Sequence, residues 1–403
     1  MKFDRLGPHV RKYGIWIAAA LLMVPHSRGN AQQLVTLSDV YALAAKAPKI
    51  SAALSLAVAE RSRISSAKRL PDPELQLGFM NRSLPSLAPM DPQGMTQIQL
   101  MQMLPLRGKL DLAGRVAASN AAAADARALD VKWDVRARAG MQFYDLYAAE
   151  GKLAIDRETK RLVQDIAKVS QTMYAIGDAK QADVLRAQVE VAKMSEDITR
   201  MESMRASMAA RLAATVDLPA ETSLAAVELP HLPDSLPPLA VLIAEAERNR
   251  PMIDAGEKNF RAAEAQSALA RKAIWPDLTV GLQYGWRSGE MGTEKMGSLM
   301  LGATVPVYAR SRQLRMRDEA SAMRSMAEAD LKSMRAETRG RMGELYADYT
   351  RARNLRALYT TTVLPQAKAT VTASFAAYRV GDVNLMTLLD NQMTVNRYRQ
   401  ELI

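Results

Sequence analysis

The chain has no cysteine among its 403 residues. No disulfide staples it, no lipid can be attached to an N-terminal Cys, and thiolate chemistry is excluded. Histidine is nearly as scarce. His9 and His26 stand within the first 31 residues, and His231 sits in a proline-rich linker. A zinc site or a Ser/His/Asp group therefore lacks its usual residues. No glycine-rich phosphate loop occurs, and nothing argues for a carboxylate-only enzyme. No catalytic activity, no cofactor and no metal-ligating set is expected. Beyond the N-terminal stretch no apolar run reaches about 18 residues, so no transmembrane helix is expected. Proline is absent from Leu106 to Leu218.

What is present begins with an export signal. Lys2, Arg5, Arg11 and Lys12 form a basic segment, and Gly14 to Val24 is apolar but too short for an ordinary membrane span. Gly29-Asn30-Ala31 supplies small residues for cleavage, which sets residues 1–31 as a signal peptide; an uncleaved anchor is the alternative. Removing them lowers the net charge from +11 to +7, because five Lys/Arg and one Asp leave. That mild excess, without aromatic-basic interleaving, reads as solvated helix faces and not as a nucleic-acid surface.

The remaining sequence is written twice, at an offset of 201 to 205 residues. Pro48 and Ile50 are echoed by Pro251 and Ile253, Pro71-Asp72 by Pro276-Asp277, and Pro105 by Pro306. Tyr144 and Tyr147 answer to Tyr346 and Tyr349, and Tyr174-Ala175-Ile176-Gly177-Asp178 to Tyr378-Arg379-Val380-Gly381-Asp382. A steady offset over this length marks duplication of one structural unit. The units are set at residues 32–228 and 229–403.

Each unit has four parts. A helical segment runs from Leu37 to about Leu70, and again from Leu239 to about Ile274, stopped by Pro-Asp. A strand pair follows. Leu278, Val280, Leu282, Tyr284 and Trp286 alternate with Thr279, Gly281, Gln283, Gly285 and Arg287. Leu75, Leu77 and Phe79, then Ile98, Leu100 and Leu104, give the same period in the first unit, with Gln102 breaking it. Loops are placed at Ser83–Gly94 and Ser288–Gly297. On the strands alone, an outer-membrane barrel and a periplasmic sheet with one buried face fit equally.

The third part is a helix. Lys109 to about Ile176 is rich in strong helix formers and long enough for a rod of about 100 Å. Arg310 to Val380 matches it, interrupted once by Pro365. Helices of this length read as coiled coil. Gly177-Asp178 and Gly381-Asp382 then turn the chain into return helices, the first over Asp183 to Val216. The second return helix stops at Ile403, equivalent to about Thr199, so it is expected to be short or truncated. Four strands cannot close a barrel. Three chains supply twelve, within the outer-membrane range.

In this doubled layout, in the Pro-Asp entry to each first strand and in the Tyr-x-x-Gly turns, the mature sequence resembles the TolC-type outer-membrane efflux proteins. The segment Gln102 to Leu110 (QMLPLRGKL) looks like the strand-to-helix junction of relatives that accompany heavy-metal exporters. The resemblance implies an α+β membrane protein, a trimeric 12-stranded outer-membrane β-barrel continued by an α-helical coiled-coil tunnel in the periplasm. It implies a passive exit duct in a tripartite efflux system, with a periplasmic adaptor protein, an inner-membrane pump and outer-membrane lipid as partners. It also implies a tip gate: a hydrogen bond between Tyr378 and Asp183, and an acidic ring at Asp390. Val383 stands where a basic residue strengthens that lock in relatives, and Thr387 replaces a second acidic ring. A weaker lock is expected. The cargo stays open among metal ions, small toxic compounds and a polypeptide of type I secretion. A non-pore coiled-coil scaffold is the alternative of another class. The methionines near the strands (Met80, Met90, Met95, Met101, Met103, Met291, Met296, Met300) read as helix formers and gap fillers, with Cu(I) affinity as the alternative.

Overall fold

The computed structural model describes residues 33–403 apart from 87, 89, 91–93, 223, 227–228, 231–234 and 290–291. The signal peptide, His231 and Met291 lie outside the described residues.

The first unit comprises strand β1 (Gln33–Val35), helices α1 (Leu37–Ala44) and α2 (Pro48–Ala67), strands β2 (Glu74–Met80) and β3 (Met95–Leu104), and helices α3 (Lys109–Ala175) and α4 (Gln181–Thr215). Strand β4 (Leu224–Ala226) falls just before the boundary read from sequence at 228 and corresponds to β1; the second unit then comprises α5 (Leu239–Asn249), α6 (Pro251–Lys272), β5 (Leu278–Gly289), β6 (Gly292–Ala303), α7 (Gln313–Leu358), a π-helical turn (Tyr359–Val363), α8 (Leu364–Arg379) and α9 (Leu385–Leu402). The two runs match part for part.

Four details differ from the sequence reading. The opening helical segment of each unit is two helices, because Pro48 and Pro251 sit at the first helical position, where the missing N–H is harmless but the preceding residue cannot be α-helical. Residues 288–289 and 292–297 are strand, not loop; their polar and glycine-rich sequence hid it, and the hairpin is held by cross-strand pairing, with Arg287 and Glu294 2.7 Å apart. The short strands β1 and β4 pair in parallel and were not foreseen; three residues carry too little pattern to read. Finally, Leu37–Ala67 has a mean hydropathy of 1.3 and passes for a membrane span by length and composition. It is broken at Ala45–Ala47, and Val40, Ala44 and Ile50 are buried against the helical bundle.

Helix α3 is 67 residues without a break, about 100 Å long. Its counterpart is jointed. Pro365 removes one N–H and crowds the carbonyl of Thr361, and the backbone answers with the wider turn at Tyr359–Val363. Many of α3's buried residues are small (Ala121, Ala123, Ala124, Ala126, Ala128, Ala139, Gly140), which lets α2, α4 and α6 approach closely. At Gly140 a Cβ would stand 2.9 Å from Tyr41 Oη.

Two apolar clusters hold the helices. One gathers Val35, Val40, Ala44 and Ile50 with Phe143, Leu146, Leu212 and Leu224; Phe143 and Leu146 are fully buried, worth about 1.5–3 kcal/mol each. The other lies at the far end: Val163, Ile166, Ala187, Tyr378, Leu385, Leu388 and Leu389.

Candidate functional site: the strand wall and the helix tips

The four-stranded antiparallel sheet has the order β2-β3-β5-β6. Its register sorts the side chains into two faces. One face carries the row Leu75, Leu100, Leu282, Leu299, and beside it Leu77, Ile98 and Tyr284. The other carries the row Gln76, Gln99, Gln283, Ser298, flanked by glycines and methionines. The apolar face is bare. Leu75 is 72 % exposed and Leu301 77 %. Strands β2 and β6 are both edges, each with one row of backbone N–H and C=O groups unpaired. Gln102 falls on the apolar face, and its amide is satisfied by donating to the carbonyls of Pro71 and Met103 at 2.8 and 3.0 Å.

Where strands give way to helices, the two units are hooked together. Asp277, of the second Pro-Asp, accepts from Lys109 Nζ at 2.8 Å and from the Leu106 N–H at 3.3 Å. Lys109 also donates to the Trp275 carbonyl at 2.7 Å, Lys272 donates to the Arg107 carbonyl at 2.6 Å, and the Arg107 guanidinium lies 4.0 Å over the Trp275 ring. This pair is only 12 % and 25 % exposed, so it is worth more than a surface ion pair.

At the opposite end both long helices stop in the same way. Gly177 and Gly381 adopt φ of 89° and 80°. The N–H of Asp178 donates to the Met173 carbonyl at 2.8 Å, and that of Asp382 to the Ala377 carbonyl at 3.0 Å. These are paired Schellman turns, with Gly supplying the left-handed residue. The return helices are capped by different chemistry at equivalent positions. Asp183 accepts from the Lys180 N–H at 3.3 Å, whereas Thr387 donates its hydroxyl and N–H to Asn384 Oδ1 at 3.0 and 2.9 Å.

Tyr378 is 4 % exposed, inside the tip cluster, and its hydroxyl has no hydrogen-bond partner among the described residues. Within one chain, Tyr378 and Asp183 are therefore not joined. Asp390 and Thr387 are both exposed on α9.

The family model for outer membrane efflux proteins matches residues 242–403. That likeness covers less than half of the chain. The pyoverdine export outer membrane protein OpmQ of Pseudomonas putida is 24% identical over 263 residues, 62% of this chain and 53% of that protein, so the match spans about half of that relative. The cobalt-zinc-cadmium resistance protein CzcC of Cupriavidus metallidurans is 24% identical over 389 residues, 94% of this chain and 88% of CzcC. The solved outer-membrane channel OprN superimposes with a TM-score of 0.77 at 15% identity, over 90% of this chain and 85% of OprN. That likeness carries the fold: a four-stranded wall continued by long helices.

One feature of the chain escaped sequence reasoning. Asp156, on α3, is 3 % exposed. Its Oδ1 accepts from Asn396 Nδ2 at 3.1 Å and from Gln400, both on α9, and Thr159 donates to Asn396 at 2.7 Å. Burial pushes the Asp156 carboxyl above its ordinary value, opposed by the two amides and by Lys152, and aided by Asp197 of α4. A buried polar knot of this kind fixes the register of one helix on another. Asn396 and Gln400, four apart on one helix face, are its sequence trace.

Proposed function

We propose that three copies of the chain close a twelve-stranded barrel in the outer membrane, β6 of one pairing with β2 of the next, and that the assembly is the passive outlet of a tripartite efflux system. The observation that carries this reading is the sheet: two open edges, one bare apolar face for lipid, one polar face for a lumen. Tyr284 and Trp286, 6.0 Å apart on the apolar face, suit the aromatic girdle at a membrane boundary. The tunnel tip meets a periplasmic adaptor and an inner-membrane pump, which supplies the energy. Residues 1–31 act as the export signal. The cargo is metal ions or small toxic compounds. The match to CzcC over nearly the whole chain supports metals, and the match to OpmQ keeps small organic cargo in view.

The tip serves as the gate. Asp390 supplies the charged ring, Tyr378 holds α8 to α9 by packing, and Asp183 fixes the start of α4. The decisive experiment is twofold. Mass measurement in mild detergent is expected to give three copies; a folded monomer overturns the closure. A strain lacking the gene is expected to lose tolerance to metals or organic toxicants and to regain it from a plasmid copy. Full tolerance without the gene overturns the export reading.

A further inference from the structure

Six methionines lie in the four-stranded sheet: Met80, Met95, Met101, Met103, Met296 and Met300. The register puts all six on the polar face. The apolar face uses Leu, Ile, Val and aromatic residues instead. Methionine chosen as apolar filler belongs on the lipid side, where filler is needed, so its confinement to the lumen side calls for another reason. The arrangement is most specific in one cross-strand row, Glu74, Met101, Gly281, Met300. Gly281 leaves a gap between two methionines, and both lean into it. A Cβ at that position would lie 3.3 Å from Met300 Cε and 3.4 Å from Met101 Cγ. Gln99 Nε2 donates to Met300 Sδ at 3.9 Å, orienting the sulfur, and Glu74 brings a carboxylate to the same row.

We propose that Met101 and Met300, converging over Gly281, form a transit site for a soft monovalent cation, Cu(I) or Ag(I), on the lumen face of the barrel, with Glu74 next to Met101 at its margin. Thioethers are neutral and soft; they select Cu(I) and need no deprotonation to bind it. Zn(II) prefers thiolate, imidazole and carboxylate, of which this row offers one carboxylate. Two neutral thioethers, with a carboxylate one strand beyond Met101, hold a monovalent ion without trapping it, as a duct requires. The inference rests on the export reading and narrows its cargo.

The test is calorimetric titration of silver nitrate, free of chloride, into the purified full-length protein in detergent. Wild type is expected to bind saturably and to discriminate against Zn(II). The double variant Met101→Leu, Met300→Leu keeps the side-chain volume and removes both sulfurs, and is expected to bind about ten-fold more weakly or worse. Gly281→Ala keeps both sulfurs but wedges them apart, and is expected to weaken silver several-fold; it serves also if the double variant does not fold. Absence of saturable binding in wild type, or silver affinity unchanged in the variants, overturns the site. This measurement needs no living cell, so it fails separately from the export reading, which is tested by the tolerance of the strain lacking the gene.

Discussion

At the residue scale the tunnel is specified by a few buried polar groups. Asp156 is the sharpest case. Its carboxyl titrates above the ordinary 3.8 because burial disfavours the charged form. Folding therefore favours the protonated acid, and stability from this group falls as pH rises from the ordinary carboxylate range through the raised value. Asp156→Asn keeps the Oδ1 that accepts from Asn396 and Gln400 and removes the charge. The variant is expected to melt higher than wild type at pH 7, with the difference shrinking as pH falls toward 3.8. Thermal unfolding in detergent, followed by helical circular dichroism across pH, reads it directly; a lower Tm at neutral pH would mean the charge itself is needed. Tyr378 makes the complementary case. A buried hydroxyl without a partner costs about 1–3 kcal/mol. Tyr378→Phe is expected to melt at the same temperature or higher, and a clear fall would reveal a partner supplied by assembly.

At the scale of elements, the helix tips invite a clean measurement. A Cβ at Gly177 or Gly381 would meet nothing within 4 Å, so substitution there probes the backbone alone. Gly177→Ala is expected to cost about 1–2 kcal/mol, the penalty of a left-handed L-residue. The loss should appear as faster amide exchange in the last turn of α3 and not in the core cluster around Phe143. These turns were legible in the sequence because Tyr-x-x-Gly-Asp occurs twice, and the long helices because strong formers run unbroken from Lys109. The split at Pro48 and Pro251 was less legible. A proline at the first position of a helix and a proline inside one look alike in a composition window. The knot at Asp156 was hidden for another reason: Asn396 and Gln400 are 240 and 244 residues away, and only tertiary packing brings them to it. The methionines of the sheet were visible as a group, but their common face follows from cross-strand register, which local alternation alone does not fix.

At the scale of the whole molecule, the proposed threefold closure would multiply charge at the tip. Among the described residues the Asp390 carboxylate has no hydrogen-bond or ion-pair partner; in the proposed trimer, with Asp390 at the tip gate, three such charges would share one constriction, whose narrow geometry focuses their field. Asp390→Asn is expected to reduce cation preference, read as a shift in reversal potential across a planar bilayer under a salt gradient. An unchanged potential would put Asp390 outside the conducting path.

The unbroken run of α3 also makes it a lever. It is fixed at one end by Lys109, Asp277 and the stacked Arg107 and Trp275, and it ends at the other in the tip. A tilt of about 2° at one end of a rod about 100 Å long moves the other by about 3.5 Å, roughly the width of a water molecule. A swing too small to disturb the hydrogen bonds at the fulcrum is therefore enough to displace the tip by that much. The partner rod carries the wider turn at Tyr359–Val363, which interrupts its regular helix where α3 is continuous. If three chains close as proposed, the aperture of the resulting tube would follow the angles at the base of its helices.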